Sequence, residues 1–339
     1  MQVSKEIIRA AHTVSLGEPE NYNAKDLKHF RGCLELSIAE ISLTRFINAE
    51  VNQLQLFDRG RIVRTHCMMR QNDLKLDFKA HVKRVLFKKR NVDNAIWVLN
   101  NFSLAYFHWF TEVLPRILLA EEGAGKLPVL IPDVFLSRAF IRESLDVFDV
   151  KVVSYHLRET IKVRNLLAPS QSEPAFFDAV RLQGVRKRFQ QFDGFNSNGY
   201  RLLYVSRKYA FKRKVVNEDE LEKLLGRYGV ETVYMENLSF SEQRKLMSET
   251  CLLISNHGAG ITNILFMPEQ SVVLELKSDA DNINNCYFKM ARALGTDYYY
   301  TINEGNDRDI QKADIKVDLA SLEQLMEVLI SKMQKSKVI

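Results

Sequence analysis

The sequence predicts an α/β protein of two domains, and three observations carry that expectation. From Ala95 onward, short β-rich runs alternate with stretches whose apolar residues recur at helical spacing, the pattern of βαβ units around a parallel sheet. A Gly-, Asn- and Ser-rich stretch, QFDGFNSNGY at 191–200, interrupts that alternation and reads as a linker. The 339 residues also exceed one typical domain. The expected boundaries are an N-terminal domain over 1–195 and a C-terminal domain over 196–339.

The elements follow in order. The first 90 or so residues mix strand-like runs, CLELSIAEISLTRF and RIVRTHCMM, with polar turns and finish in the basic stretch KRVLFKKR; little chemistry is visible there. AIWVL is a short buried strand, FHWFTEVLPRILLAEE a helix, LPVLIP a strand, FLSRAFIRESLDVF a helix and VKVVSYH a strand. After the linker come the strand RLLYV, a helix over 218–228 closed by Gly229, a strand at VETVYM, a helix over 241–249 and the buried strand CLLIS. Next are the turn NHGAG, a helical stretch ITNILFM stopped by Pro268, and the strand SVVLEL. In the tail over 317–336, Leu322, Leu325, Met326, Leu329 and Met333 share one helical face, so this helix packs on a domain, with the N-terminal domain as one candidate.

Composition narrows the class. With 46% hydrophobic and 27% charged residues the chain is globular, which excludes disorder and collagen. The net charge of +6 is spread without a cationic tail, suiting a phosphorylated ligand, an anionic membrane surface or simply a mixed soluble surface, and no nucleic-acid partner is expected. Cys33, Cys67, Cys251 and Cys286 lie far apart with no CxxC pair, so neither a disulfide scaffold nor a structural zinc site is indicated. The N-terminal stretch lacks the apolar core of a signal peptide, and no apolar run reaches the ~18 residues that span a bilayer. A cytoplasmic location is expected, with peripheral contact at an inner membrane face.

Four motifs bear on chemistry. In ISNHGAGITNILF a strand ends at His257, Gly258, Ala259 and Gly260 with a helix opening behind, a place for an anion such as a diphosphate, or simply a tight turn with a satisfied histidine. SRKYAFKRK gathers Arg207, Lys208, Lys212, Arg213 and Lys214 beyond the strand RLLYV, facing the same site or solvent. Asn217 with Glu220 and Ser239 with Glu242 have capping-box spacing. His108 and Glu112, four apart, share a helix face as an acid/base pair or as a surface contact. Asp279, Ala280 and Asp281 form a DxD in a polar loop, which alone is a weak metal signal, and GAGK at 123–126 lacks P-loop spacing.

Together these residues resemble a family. YVSR, Arg213, VVNEDEL, LSFSEQ and SNHGAGITNILFMPEQSVVLEL are similar to the C-terminal signature of glycosyltransferase family 61, and FHWFTEVLPR is similar to its N-terminal signature. The resemblance covers roughly 97–300 and is densest over 204–276. It implies a GT-B architecture, two Rossmann-like domains facing a cleft, and inverting transfer from a nucleotide sugar without a bound metal or other cofactor. It matches His257, Gly258, Ala259, Gly260 and Asn263 to the HGAGxTN motif near the donor, Arg207 and Arg213 to basic positions, and His108 and Glu112 to the N-terminal signature. Asn101 stands nearest to that signature's asparagine.

The expected function is sugar transfer to a glycan or lipid-linked oligosaccharide acceptor in surface polysaccharide biosynthesis, such as a bacterial capsule. Glu112 or His108 would be the base, and Glu275 would hold the ribose hydroxyls or simply end a strand. An epimerase or hydrolase acting on nucleotide sugars with the same fold, or a non-catalytic binder of anionic ligands, would fit the same residues.

Overall fold

The computed structural model describes residues 3–66, 74–171, 173–194 and 199–335; Cys67 and residues 195–198 of the expected linker lie outside them. The chain forms two compact units, one of Met1–Thr13 with Ser37–Arg188 and the other of Val14–Leu36 with Phe189–Ile339. Both are mixed α/β.

The first unit is built on an eight-stranded sheet. Its strands are β1 (Val3–Arg9), β2 (Ile41–Asn52), β3 (Gln55–Asp58), β4 (Arg61–Ile62), β5 (Lys88–Ile96), β6 (Val129–Pro132), β7 (Val152–Tyr155) and β8 (Glu159–Pro169), with order β4-β3-β2-β8-β5-β6-β7 and β1 added to β2. The expected parallel pattern holds for β8, β5, β6 and β7. β2 with β3 and β3 with β4 pair antiparallel, because tight turns with Gln53, Arg59 and Gly60 at positive φ join them and a two-residue connection can only reverse the chain; β1 and β8 also pair antiparallel with β2. Helix α1 (Leu74–Leu86) precedes β5. Helix α2 (Leu114–Ala124) follows β5, and α3 (Ala139–Val147) follows β6.

Helix α4 (Ala179–Asp193) carries the boundary between the units, which therefore lies earlier than the Gly/Asn/Ser-rich stretch. Side-chain contacts explain the shift. Arg188 pairs with Glu121 at 3.0 Å in the first unit. Phe189 packs edge-on against Phe240 and Phe266, and Asp193 pairs with Arg244, in the second.

The second unit contains β9 (Arg201–Val205), β10 (Glu231–Val233), β11 (Thr250–Asn256), β12 (Val272–Ser278), β13 (Asp297–Gly305) and β14 (Ile315–Lys316), in the order β10-β9-β11-β12-β13-β14. All pair in parallel except β13 with β14. Since β9 connects outward to β10 while β11 connects the other way to β12, the order reverses between β9 and β11. In such sheets ligands bind beyond the carboxyl ends of the strands at that reversal. Helices α5 (Glu218–Gly226), α6 (Phe240–Ser248), α7 (Cys286–Leu294) and α8 (Leu319–Lys335) complete the unit.

The tail helix α8 packs into the core of its own unit. Leu322, Met326, Leu329 and Met333 join a cluster with Leu202, Ile254 and Leu274, and Leu325 lies against it partly buried. Segment 14–36 also belongs here: Phe30 meets Phe288 and Tyr300, and the Asn285 side chain donates to the His29 carbonyl at 2.9 Å. Ser239 and Glu242 form the expected capping box on α6. Asn217 does not cap α5; its amide clamps Val317 through two 2.9 Å bonds, while Glu218 accepts from Tyr204 and Ser206.

Candidate functional site

Two clusters, one in each unit, hold the residues singled out from the sequence. In the first, residues 106–124 wind as one helical stretch whose Trp109–Val113 part is a π-turn. Pro115, at the start of α2, has no N–H to give, which lets the turn before it widen. Trp109 anchors the turn by donating to Ser144 Oγ at 2.8 Å. The widened turn aims Glu112 and His108 at each other. His108 Nδ1 lies 2.6 Å from Glu112 Oε1, and Asn100 Nδ2 donates to Glu112 Oε2 at 3.0 Å.

Both carboxylate oxygens are therefore taken, and Glu112 is only 6% exposed. A carboxylate only accepts, so the neutral histidine carries its proton on Nδ1 and leaves a lone pair on Nε2. The ring is held on its faces by Phe102, stacked at 5.1 Å, and Phe107, edge-on at 5.2 Å. Behind the pair, buried Arg116 donates through Nε to the Glu112 carbonyl at 2.9 Å. Burial lowers the Arg116 guanidinium to about 10 against the opposing pull of the Glu112 charge. The asparagine in this cluster is Asn100, fully buried, whereas Asn101 is exposed in a turn. The doublet Asn100-Asn101 was visible in the sequence, but nothing local says which member turns inward.

In the second unit, β9 delivers Arg207 and β11 delivers His257. His257 Nδ1 lies 2.5 Å from Glu275 Oε1 on β12, and Tyr298 of β13 donates to Glu275 Oε2 at 2.5 Å. The other ring nitrogen, Nε2, meets Asn284 Nδ2 at 2.9 Å. Burial would raise the Glu275 carboxyl, but the Lys277 ammonium, His257 and the Tyr298 hydroxyl outweigh it and hold it at about 2. Glu275 has no exposed surface, and with each oxygen accepting one hydrogen bond it is placed to orient His257.

After His257 the chain enters a 3₁₀ helix, Ala259–Phe266. Its first internal bond runs from the Ile261 amide to the Gly258 carbonyl, so the amides of Ala259 and Gly260 stand ahead of it at the positive end. Ala259 is exposed and Asn263 is buried on this helix. A Cβ on Gly258 would lie 2.1 Å from Arg207 Nη1, so the missing side chain is the space the guanidinium occupies. A Cβ on Gly260 would instead meet Val205 Cγ1 at 2.9 Å, so that glycine serves packing on β9.

Arg207 donates to the carbonyls of Arg213 and Lys212 at 3.1 and 3.2 Å and makes no ion pair among the described residues. Burial, then the nearby Arg213 charge, lowers its guanidinium. Arg213 adopts a left-handed φ of 59°, and its buried Nε has no hydrogen-bond partner among the described residues. The DxD aspartates have protein partners: Asp279 accepts from the Gly305 amide at 3.0 Å, and Asp281 faces the buried Lys277 ammonium at 3.4 Å. Among the described residues no three His, Cys, Asp or Glu side chains stand together as a metal-binding group. Tyr298 and Asn284 were not legible, because a neighbouring strand brings Tyr298 to Glu275 and the loop after β12 brings Asn284 to His257.

Comparison with known proteins fits this picture. The Glycosyltransferase 61 family model matches residues 106–274, which contain both clusters' histidines, Glu112 and the Gly-Ala-Gly turn. The chain is similar to the EGF domain-specific O-linked N-acetylglucosamine transferase of Drosophila melanogaster, 40% identical over 101 residues, covering 29% of this chain and 19% of that protein. The proteins of the same name from Gallus gallus and Mus musculus are each 37% identical over 92 residues, covering 25% of this chain and 17% of theirs. The chain thus matches less than a fifth of the length of these relatives. The family match and these relatives support a likeness to glycosyltransferase family 61 over residues 106–274.

Proposed function

We propose that the protein is an inverting GT-B glycosyltransferase that moves a sugar from a nucleotide-activated donor to a hydroxyl of a glycan or lipid-linked glycan. The observation that supports this reading is the cationic, glycine-lined turn in the second unit: among the described residues Arg207 makes no ion pair and the buried Nε of Arg213 has no hydrogen-bond partner, and the amides of Ala259 and Gly260 open a helix at the strand-order reversal. A diphosphate is the ligand whose charge and oxygens such a turn answers.

In the proposed reaction the His108–Glu112 pair serves as the base. The acceptor oxygen attacks the anomeric carbon opposite the diphosphate, and its proton passes to His108 Nε2 while Glu112 holds the ring and balances the imidazolium. The bond from the anomeric carbon to the diphosphate breaks, and the leaving charge is taken by Arg207, Arg213 and the turn amides. His257, held at Nδ1 by Glu275 and at Nε2 by Asn284, is proposed to fix the backbone that leads into the same turn. Turnover is proposed to need no metal, since arginines supply the positive charge that a cation would. The proposed setting is cytoplasmic, at surface polysaccharide assembly.

A second reading of the acceptor comes from the relatives, whose name specifies N-acetylglucosamine transfer to EGF domains; a protein hydroxyl and an N-acetylglucosamine donor belong in the assay beside glycans. Calorimetry with a panel of nucleoside diphosphates and their sugars tests the donor site. Micromolar binding that falls at least tenfold in Arg207→Ala is expected. Binding to none, or undiminished binding in that variant, would remove the turn from the site. Turnover surviving excess EDTA is expected, and loss restored by manganese would overturn metal independence.

A further inference from the structure

Helix α1 sits on the first unit with its polarity reversed. Its inward side is Asp77, paired with Arg64, together with Ala80, His81 edge-on to Phe57 at 5.5 Å, and Arg84, paired with Glu50. Its outward side is apolar. Phe78, Val82 and Leu86, spaced four apart on one stripe, are 71%, 37% and 74% exposed, and Val85 beside them is 61% exposed. A helix on a folded unit ordinarily buries such a stripe. The outward side also carries Lys79, and Lys88 stands exposed just past the helix end; Asp77, the one acidic residue in α1, is turned in.

We propose that α1 is a docking helix for an anionic lipid bilayer, with Phe78, Val82 and Leu86 entering the boundary between headgroups and acyl chains and Lys79 and Lys88 meeting lipid phosphates. An apolar stripe edged by cations without outward acids is complementary to that surface, and a helix lying in the interface needs no length to span. The inference stands on α1 alone and does not rest on the transferase reading.

The test is co-sedimentation of the full chain with vesicles of phosphatidylcholine alone and of phosphatidylcholine mixed with phosphatidylglycerol. Binding to the mixed vesicles only is expected. Phe78→Ser with Leu86→Ser should weaken it about a hundredfold, and Lys79→Gln with Lys88→Gln about twentyfold. These side chains are exposed, so circular dichroism and thermal midpoint should stay at the wild-type values. Failure to bind mixed vesicles, or equal binding by the Ser variant, overturns the proposal. So does a lipid-free dimer that the Ser substitutions dissociate, which would make the face an interface between copies of this chain. Nucleoside diphosphate calorimetry on the same variants is independent of either result.

Discussion

At the scale of single residues, the two histidine–glutamate pairs have the same internal logic, a buried carboxylate fixing Nδ1, but differ in what Nε2 meets. His257 Nε2 is matched by Asn284, whereas among the described residues His108 is held through Nδ1 and by aromatic rings. In the proposed reaction His108 is therefore the proton acceptor, and Glu112 a positioning residue. His108→Ala should lower kcat by about 10²- to 10⁴-fold with donor affinity unchanged by calorimetry. Glu112→Gln should cost less, because a glutamine oxygen still accepts from Nδ1–H but brings no charge to the imidazolium. Near-wild-type turnover in His108→Ala would move the base elsewhere. The pair was legible because i,i+4 spacing on a helix leaves few geometries open. Glu275 was visible as a residue, but its engagement with His257 and Tyr298 depends on strand register, which no local pattern encodes.

At the scale of elements, the turn after β11 shows how two glycines in one motif have different reasons to be there. Gly258 leaves room for a flexible side chain, while Gly260 leaves room for a strand. Gly260→Ala should therefore destabilise the protein by about 1–3 kcal/mol through overpacking against Val205. Val205→Ala in the same chain should recover part of that loss. Urea denaturation of the two single variants and the double would show it; additive losses would mean that Val205 is not what the new methyl meets. Regular elements were mostly readable where periodicity was strong, as in the buried β11 and the amphipathic α8. The antiparallel ribbon from β2 to β4 was not, because its pairing is set by two-residue turns in which the non-glycine residues Gln53 and Arg59 adopt positive φ. Segment 14–36 was unreadable for another reason: its anchor is Phe30, whose ring partners Phe288 and Tyr300 lie far along the chain.

At the scale of the whole molecule, the two units should lose stability in different acid windows, and the sequence supplies the probe that separates them. The chain has two tryptophans, and both Trp97 and Trp109 are buried in the first unit, so their fluorescence reads that unit. There, burial and then the Arg116 charge lower His66 from 6.5 to about 4. The unfolded chain binds this proton first, so the contribution of His66 is complete above pH 6.5 and is lost as pH falls toward 4, amounting to about 3 kcal/mol at most. In the second unit Glu275 is depressed from 4.5 to about 2. Its contribution is present above pH 4.5 and is lost on going down to 2, because there too the unfolded state takes the proton first. Urea midpoints followed by tryptophan fluorescence should fall between pH 6.5 and 4, with a shallower fall in His66→Gln. Glu275→Gln should leave that fall untouched and flatten the lower window seen by circular dichroism. A tryptophan-detected midpoint whose pH slope is the same in wild type and His66→Gln would mean that other groups, and not the buried imidazole, set the acid sensitivity of the first unit.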